Sequence, residues 1–154
     1  MLKAVIDVVT AGDDLPVAVL QREAARAAEA TTDPVTFLAI VARAVATVAD
    51  ILVVVDQGAA VDEEISAVAA QLDEQRTVIA TWIVENLTRR AALQPGLTER
   101  TAIDTVWLLL DPVVFRRLTR DPHWSTDDFQ TWFTTSLRLV LLAPQESPRL
   151  SGAG

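Results

Sequence analysis

The feature that most constrains this chain is a recurring pair of signals: a helix-start residue, then apolar residues spaced three and four apart. Asp33-Pro34, Asp62, Thr98, Asp111-Pro112 and Ser125 each precede such a segment. An Asp, Thr or Ser oxygen can accept from the free N–H groups of a first helical turn, and Pro in that turn sacrifices no hydrogen bond. Apolar residues at this spacing line one face of a helix, which must then be buried against another. Period-two alternation bounded by hairpin turns is not found, nor is a repeat of 20–50 residues. The chain therefore reads as one all-α domain, a helical bundle.

Leu2, Val5, Ile6 and Val9 open the chain at helical spacing, and Gly12-Asp13-Asp14 with Pro16 breaks that pattern. Gln21 to Ala30 reads as a short alanine-rich helix. After Asp33-Pro34, Phe37, Val41, Ala44, Val48, Ile51, Leu52 and Val55 form one stripe, with Gly58 as a break. Asp62 starts the next helix, whose buried face is Ile65, Val68, Leu72, Ile79, Trp82, Ile83 and Leu87. Arg89 and Arg90 are expected in its last turn, where cations suit the dipole, and Gln94-Pro95-Gly96 stops it. At ~30 residues this helix would span ~45 Å, too long for one partner in a small domain to cover. Thr98 starts a helix carrying Ile103, Val106, Trp107 and Leu110, and Asp111-Pro112 kinks or restarts it. Asp121-Pro122-His123-Trp124 is a turn. Ser125 and Asp128 then form a capping-box variant that opens a last helix reaching about Leu142.

Composition narrows the function classes. With 154 residues and 51% hydrophobic residues, the chain can bury a sizeable core. It has no cysteine and a single histidine, His123, so thiolate sites and two-histidine metal sites are excluded within one chain. Metal ligands and cofactors are therefore not expected. The net charge of −8 repels phosphate backbones, so no nucleic acid is expected as a partner of this chain alone. No run approaches ~18 consecutive apolar residues, so no membrane partner is expected, and the location is read as cytoplasmic.

Catalytic constellations are equally scarce. There is no glycine-rich phosphate loop and no nucleophile elbow. His123 reads as a turn histidine, and Asp13-Asp14 and Asp62-Glu63-Glu64 as capping or solvated charge. Arg116, Arg117 and Arg120 form either a basic patch or a solvated face. Glu85 and Asn86 can orient a ligand beside Trp82 or simply occupy a helix surface, and Trp82 and Trp107 fit both a core and a pocket wall. The chain is not expected to be an enzyme, and a cofactor-free helical enzyme is the weakest class.

Leu93-Gln94-Pro95-Gly96-Leu97, then Ala102, Asp104, Trp107 and Leu109, then Asp111-Pro112, Phe115, Arg116 and Leu118, then Trp124-Ser125 and Trp132, occur in that order. This series resembles the C-terminal half of TetR-family transcriptional regulators. Leu2–Val9 and the loop after it look like the connector helix of that family. The basic helix-turn-helix head that precedes the connector in the family is not in this sequence. The resemblance implies a ligand-binding and dimerisation domain over residues 1–144, with 1–10 a remnant of the connector helix and 145–154 a flexible tail. It implies a homodimer built through a four-helix bundle and a small, apolar effector bound among the helices. By spacing, the expected pocket residues are Phe37, Val41, Trp82, Asn86, Trp107 and Leu110. The expected dimer interface is Val114, Leu118, Phe129, Trp132, Phe133, Leu137, Val140 and Leu141. The alternative is a structural helical dimerisation module, or a headless partner without a ligand.

Overall fold

A computed structural model describes residues 23–144 as an all-α bundle of six helices. They are α1 (Glu23–Ala30), α2 (Pro34–Gly58), α3 (Glu63–Thr88), α4 (Glu99–Leu109), α5 (Pro112–Arg120) and α6 (Thr126–Leu141). The expectations placed on residues 1–22 and 145–154, including the connector helix and the tail, lie outside the described residues.

The start signals act as their chemistry dictates. Asp33 accepts from the Thr36 N–H at 2.7 Å, Asp62 from Ile65 at 3.1 Å and Thr98 from Thr101 at 3.1 Å. Asp111 accepts from Val113 at 2.9 Å, and Pro112 begins α5 as a helix separate from α4. Ser125 and Asp128 close the capping box in both directions. Gly96 sits at φ +82°, and the Leu97 N–H reaches the Gln94 carbonyl at 3.0 Å. Pro95 and Gly96 thus occupy the middle of a tight turn whose second corner needs a positive φ, which only glycine adopts without strain. One boundary differs from the sequence reading, the end of α3. Arg89 is the residue that ends α3, and Arg90 lies beyond it, so neither belongs to the last turn.

The loop after α3 is fastened to the end of α6. Gln94 donates its backbone N–H to Leu141 at 2.8 Å and its side-chain amide to Leu139 at 3.0 Å, while Ala143 donates to Ala92 at 2.9 Å. This short antiparallel bridge fixes the α3–α4 loop against the C-terminal end of α6.

α2 is the hub, packing against α1, α3, α5 and α6. A helix with neighbours on several sides must be apolar on several sides. By length and composition α2 is accordingly apolar enough to cross a membrane. Counting unbroken apolar runs misses this, because Arg43, Thr47 and Asp50 interrupt them. Its burial is uneven: only 33% of its most apolar 18-residue stretch is buried. Phe37, Leu38 and Ala42 near its start are fully enclosed, with Ile83, Val84 and Leu87 from the end of α3 and Val106 from α4.

Phe129, Phe133, Leu137 and Leu141 recur every four residues along α6 and are wholly buried within the single chain. The sequence reading placed these four on a dimer interface. They instead complete the chain's own core, where Phe129 packs edge-on to Phe115 at 4.8 Å between ring centres. The face of α6 that remains accessible carries half-exposed Trp132 and exposed Leu139 and Val140. Val114 and Leu118 on α5 are also half-exposed.

Candidate functional site

A cleft of about 450 Å³ lies between α1, α2, α3 and the α4–α5 turn. Its two long walls are helical stripes. Val41, Val45, Val48, Leu52 and Val55 come from α2, and Ala69, Leu72, Arg76, Ile79 and Trp82 from α3. The spacings of three and four keep each row on one face. A turn of only four residues joins the two helices, so they run antiparallel as neighbours. Ala24, Ala25 and Ala28 of α1 close one side, and Leu110 and Pro112 close the other. Ala44, Asp56, Asp73 and Gln75 border the space and are exposed, so the cleft opens to solvent along them.

The α1 helix is held by polar contacts that converge on its C-terminal end. Arg90 donates from Nε to the Thr31 carbonyl at 2.8 Å and from Nη2 to Glu29 at 2.9 Å and Ala28 at 3.2 Å. These carbonyls carry the negative end of the α1 dipole, so a guanidinium there is doubly favourable. The same guanidinium lies 4.7 Å from the Phe37 ring centre. Trp82 adds a bond from its indole N–H to Glu29 at 2.8 Å. α1 therefore sits as a docked cover on the cleft.

This clamp accounts for Asn86, expected to orient a ligand. It is the one buried polar residue among the described residues. Its carbonyl oxygen accepts from Arg90 at 3.0 Å, and its amide donates to the Trp82 carbonyl at 3.0 Å. Asn86 orients Arg90 and does not line the cleft. Phe37 is fully buried beneath Trp82, at 5.4 Å between ring centres, and is part of the floor's support. Trp107 also lies outside the lining, where its ring supports the Arg76 guanidinium at 4.0 Å. Of the six residues expected by spacing, Val41, Trp82 and Leu110 border the cleft.

Arg76 is the cation of the cleft wall, and its charge is already engaged. Nη1 pairs with Asp111 at 3.1 Å and Nη2 with Asp73 at 3.0 Å. Its Nε is buried with no hydrogen-bond partner among the described residues. Sequence reasoning missed Arg76 because a lone arginine in a helix reads as solvated. It placed Val48 and Leu52 on an apolar stripe and Leu72 and Ile79 on a buried helix face, and named none of them for the pocket. The available signal was the length of α3, which exceeds what one partner can cover.

His123 is exposed in its turn at φ 58°. Among the described residues no group of histidine, aspartate and glutamate side chains is arranged to hold a metal ion. The arrangement offers apolar contact over most of a cleft and charge at its edge. Comparison with family models, curated proteins and solved structures gives no match for this chain.

Proposed function

We propose that this chain is the effector-binding and dimerisation half of a TetR-type transcriptional regulator, sensing a small apolar molecule. The observation that carries the reading is the cleft of about 450 Å³ between α1, α2 and α3, lined mainly by aliphatic side chains and Trp82. Its size falls within the ~300–1,000 Å³ of small-molecule sites. Its apolar walls are only partly covered among the described residues, and an apolar molecule seated against them would remove that surface from water. In this reading an effector binds under α1, and its unequal affinity for two arrangements shifts their populations. The acidic chain supplies no specific duplex-DNA contacts of its own.

The homodimer belongs to the same proposal, carried by the outer face of α6. Trp132, Leu139 and Val140, with Val114 and Leu118 of α5, provide apolar surface beyond what the core uses. Such an interface buries at least ~1,200 Å² in total.

Titration of the full chain with Nile red, a neutral apolar dye, tests the ligand site. Saturable binding with one dye per chain is expected, with quenching of Trp82 fluorescence. Ala44→Trp, which places an indole at the cleft rim, should abolish it. Absence of saturable binding, or binding indifferent to Ala44→Trp, overturns the ligand-binding reading and leaves a structural helical module.

A further inference from the structure

The cleft is apolar inside, but the charge around it is one-sided. Among the described residues three carboxylates border it, Asp56, Asp73 and Asp111, against the single guanidinium of Arg76. That guanidinium is already charge-compensated, although its Nε–H has no partner among the described residues. Both of its terminal nitrogens are paired with carboxylates and its plane lies against Trp107. The surrounding hairpin repeats the pattern at larger scale. Between Arg43 and Arg76 the sequence has seven acidic residues and no lysine or arginine. Asp56 also lies in the last turn of α2, where the negative end of the helix dipole adds to its charge.

Resting on the ligand-binding reading above, we infer that the cleft selects a lipophilic cation: an amine or quaternary ammonium carrying an apolar chain or ring system. The apolar part lies along Val45, Val48, Leu72 and Ile79, where burial from water drives binding. The positive head stays at the open edge, beside Asp56 or Asp73. Both are exposed there, so the head keeps part of its hydration while gaining carboxylate attraction. A fatty acid or phosphate ester of equal size faces the same carboxylates with repulsion. An anion that approached Arg76 would meet the carboxylates of Asp73 and Asp111 beside it. The field of a chain with net charge −8 also concentrates cations near this mouth.

Three probes with one ten-carbon chain separate the possibilities: decyltrimethylammonium, decanol and decanoate, each below its micelle threshold, titrated into the full chain by calorimetry. The cation is expected to bind at least ~10-fold more tightly than decanoate, with the gap shrinking at high salt. Asp56→Asn with Asp73→Asn should reduce that ratio to near unity or invert it, because Arg76 is then partly released. Both positions are exposed, so fold is preserved, which circular dichroism verifies. Equal affinity for all three probes, with binding still lost in Ala44→Trp, overturns the charge selectivity and leaves the ligand site intact. Preference for decanoate overturns it as well. Failure of every probe together with Nile red defeats the ligand-binding reading itself.

Discussion

α2 and α3 each contribute to two regions that obey different rules. At one end, Phe37, Leu38, Ile83, Val84 and Leu87 are wholly enclosed with the aromatic row of α6. At the other, Val45, Val48, Leu72 and Ile79 of the same two helices are only partly covered and border open space. The residue types hardly differ. What differs is the number of neighbours: α4 and α6 add layers at the packed end, whereas α1 contributes eight residues with alanines facing the cleft. Among the described residues, equal hydrophobicity therefore yields a closed core in one place and an open cleft in the other.

The largest effect expected lies on α6, where the two faces can be compared directly. Leu137→Asp places a charge among buried apolar side chains with no partner and should prevent folding, since such a change costs more than ~4 kcal/mol. Val140→Asp sits on the exposed side, so circular dichroism should be unchanged. If the proposed dimer uses that face, sedimentation should show dissociation. A chain that folds with Asp at 137 breaks the assignment of faces.

Next come truncations of apolar residues at the two ends. Phe133→Ala should lose about 3–5 kcal/mol in denaturant unfolding, as a full aromatic side chain leaves a closed core. Leu72→Ala, on the cleft wall, should lose under ~1.5 kcal/mol, because little enclosed contact disappears. Equal losses would show that the cleft is closed in solution.

Arg90→Met removes the charged clamp while keeping an apolar stem over Phe37. Hydrogen bonds from a charged donor contribute about 1.5–3 kcal/mol. Amide exchange in α1 should accelerate by ~10- to 100-fold while α6 stays protected. Uniform acceleration throughout would mean that α1 is integral to the core and not a cover.

The smallest effects concern the caps. Asp33→Ala should cost about 1 kcal/mol of global stability, since its helix starts within the packed end. Asp62→Ala should chiefly loosen the start of α3 beside the cleft, seen as local amide exchange. Asp33 also adds a weak pH dependence. The Thr36 hydroxyl and N–H hold its carboxyl below the usual 3.8, so the stabilisation is complete above that value. It is lost as pH falls through the lowered folded value, because the unfolded chain takes up its proton first. Asp128, bonded to the Ser125 hydroxyl and N–H, follows the same sign. Thermal melts between pH 6 and 2 on Asp33→Asn should show a shallower acid decline than the parent chain.

The sequence by itself determined the helices and where five of them begin. Asp33, Asp62, Thr98, Asp111 and Ser125 name their own partners a few residues ahead, and local bonds of that kind need no tertiary context. The all-α class followed from the same stripes. Tertiary structure decided which stripes are filled. Phe129, Phe133, Leu137 and Leu141 looked like a surface for a second copy and are core, while Leu72 looked buried and borders a cleft with Val48. Arg90, one helical turn from Asn86, and Arg76 acquired their roles only when groups distant in sequence met them: the α1 carbonyls for Arg90, and Asp111 with Trp107 for Arg76. Helical periodicity specifies the face of a residue, but not what covers that face. Coverage depends on neighbours brought together by the fold, and a single stripe of valines and leucines is the same whether the space before it is occupied or empty.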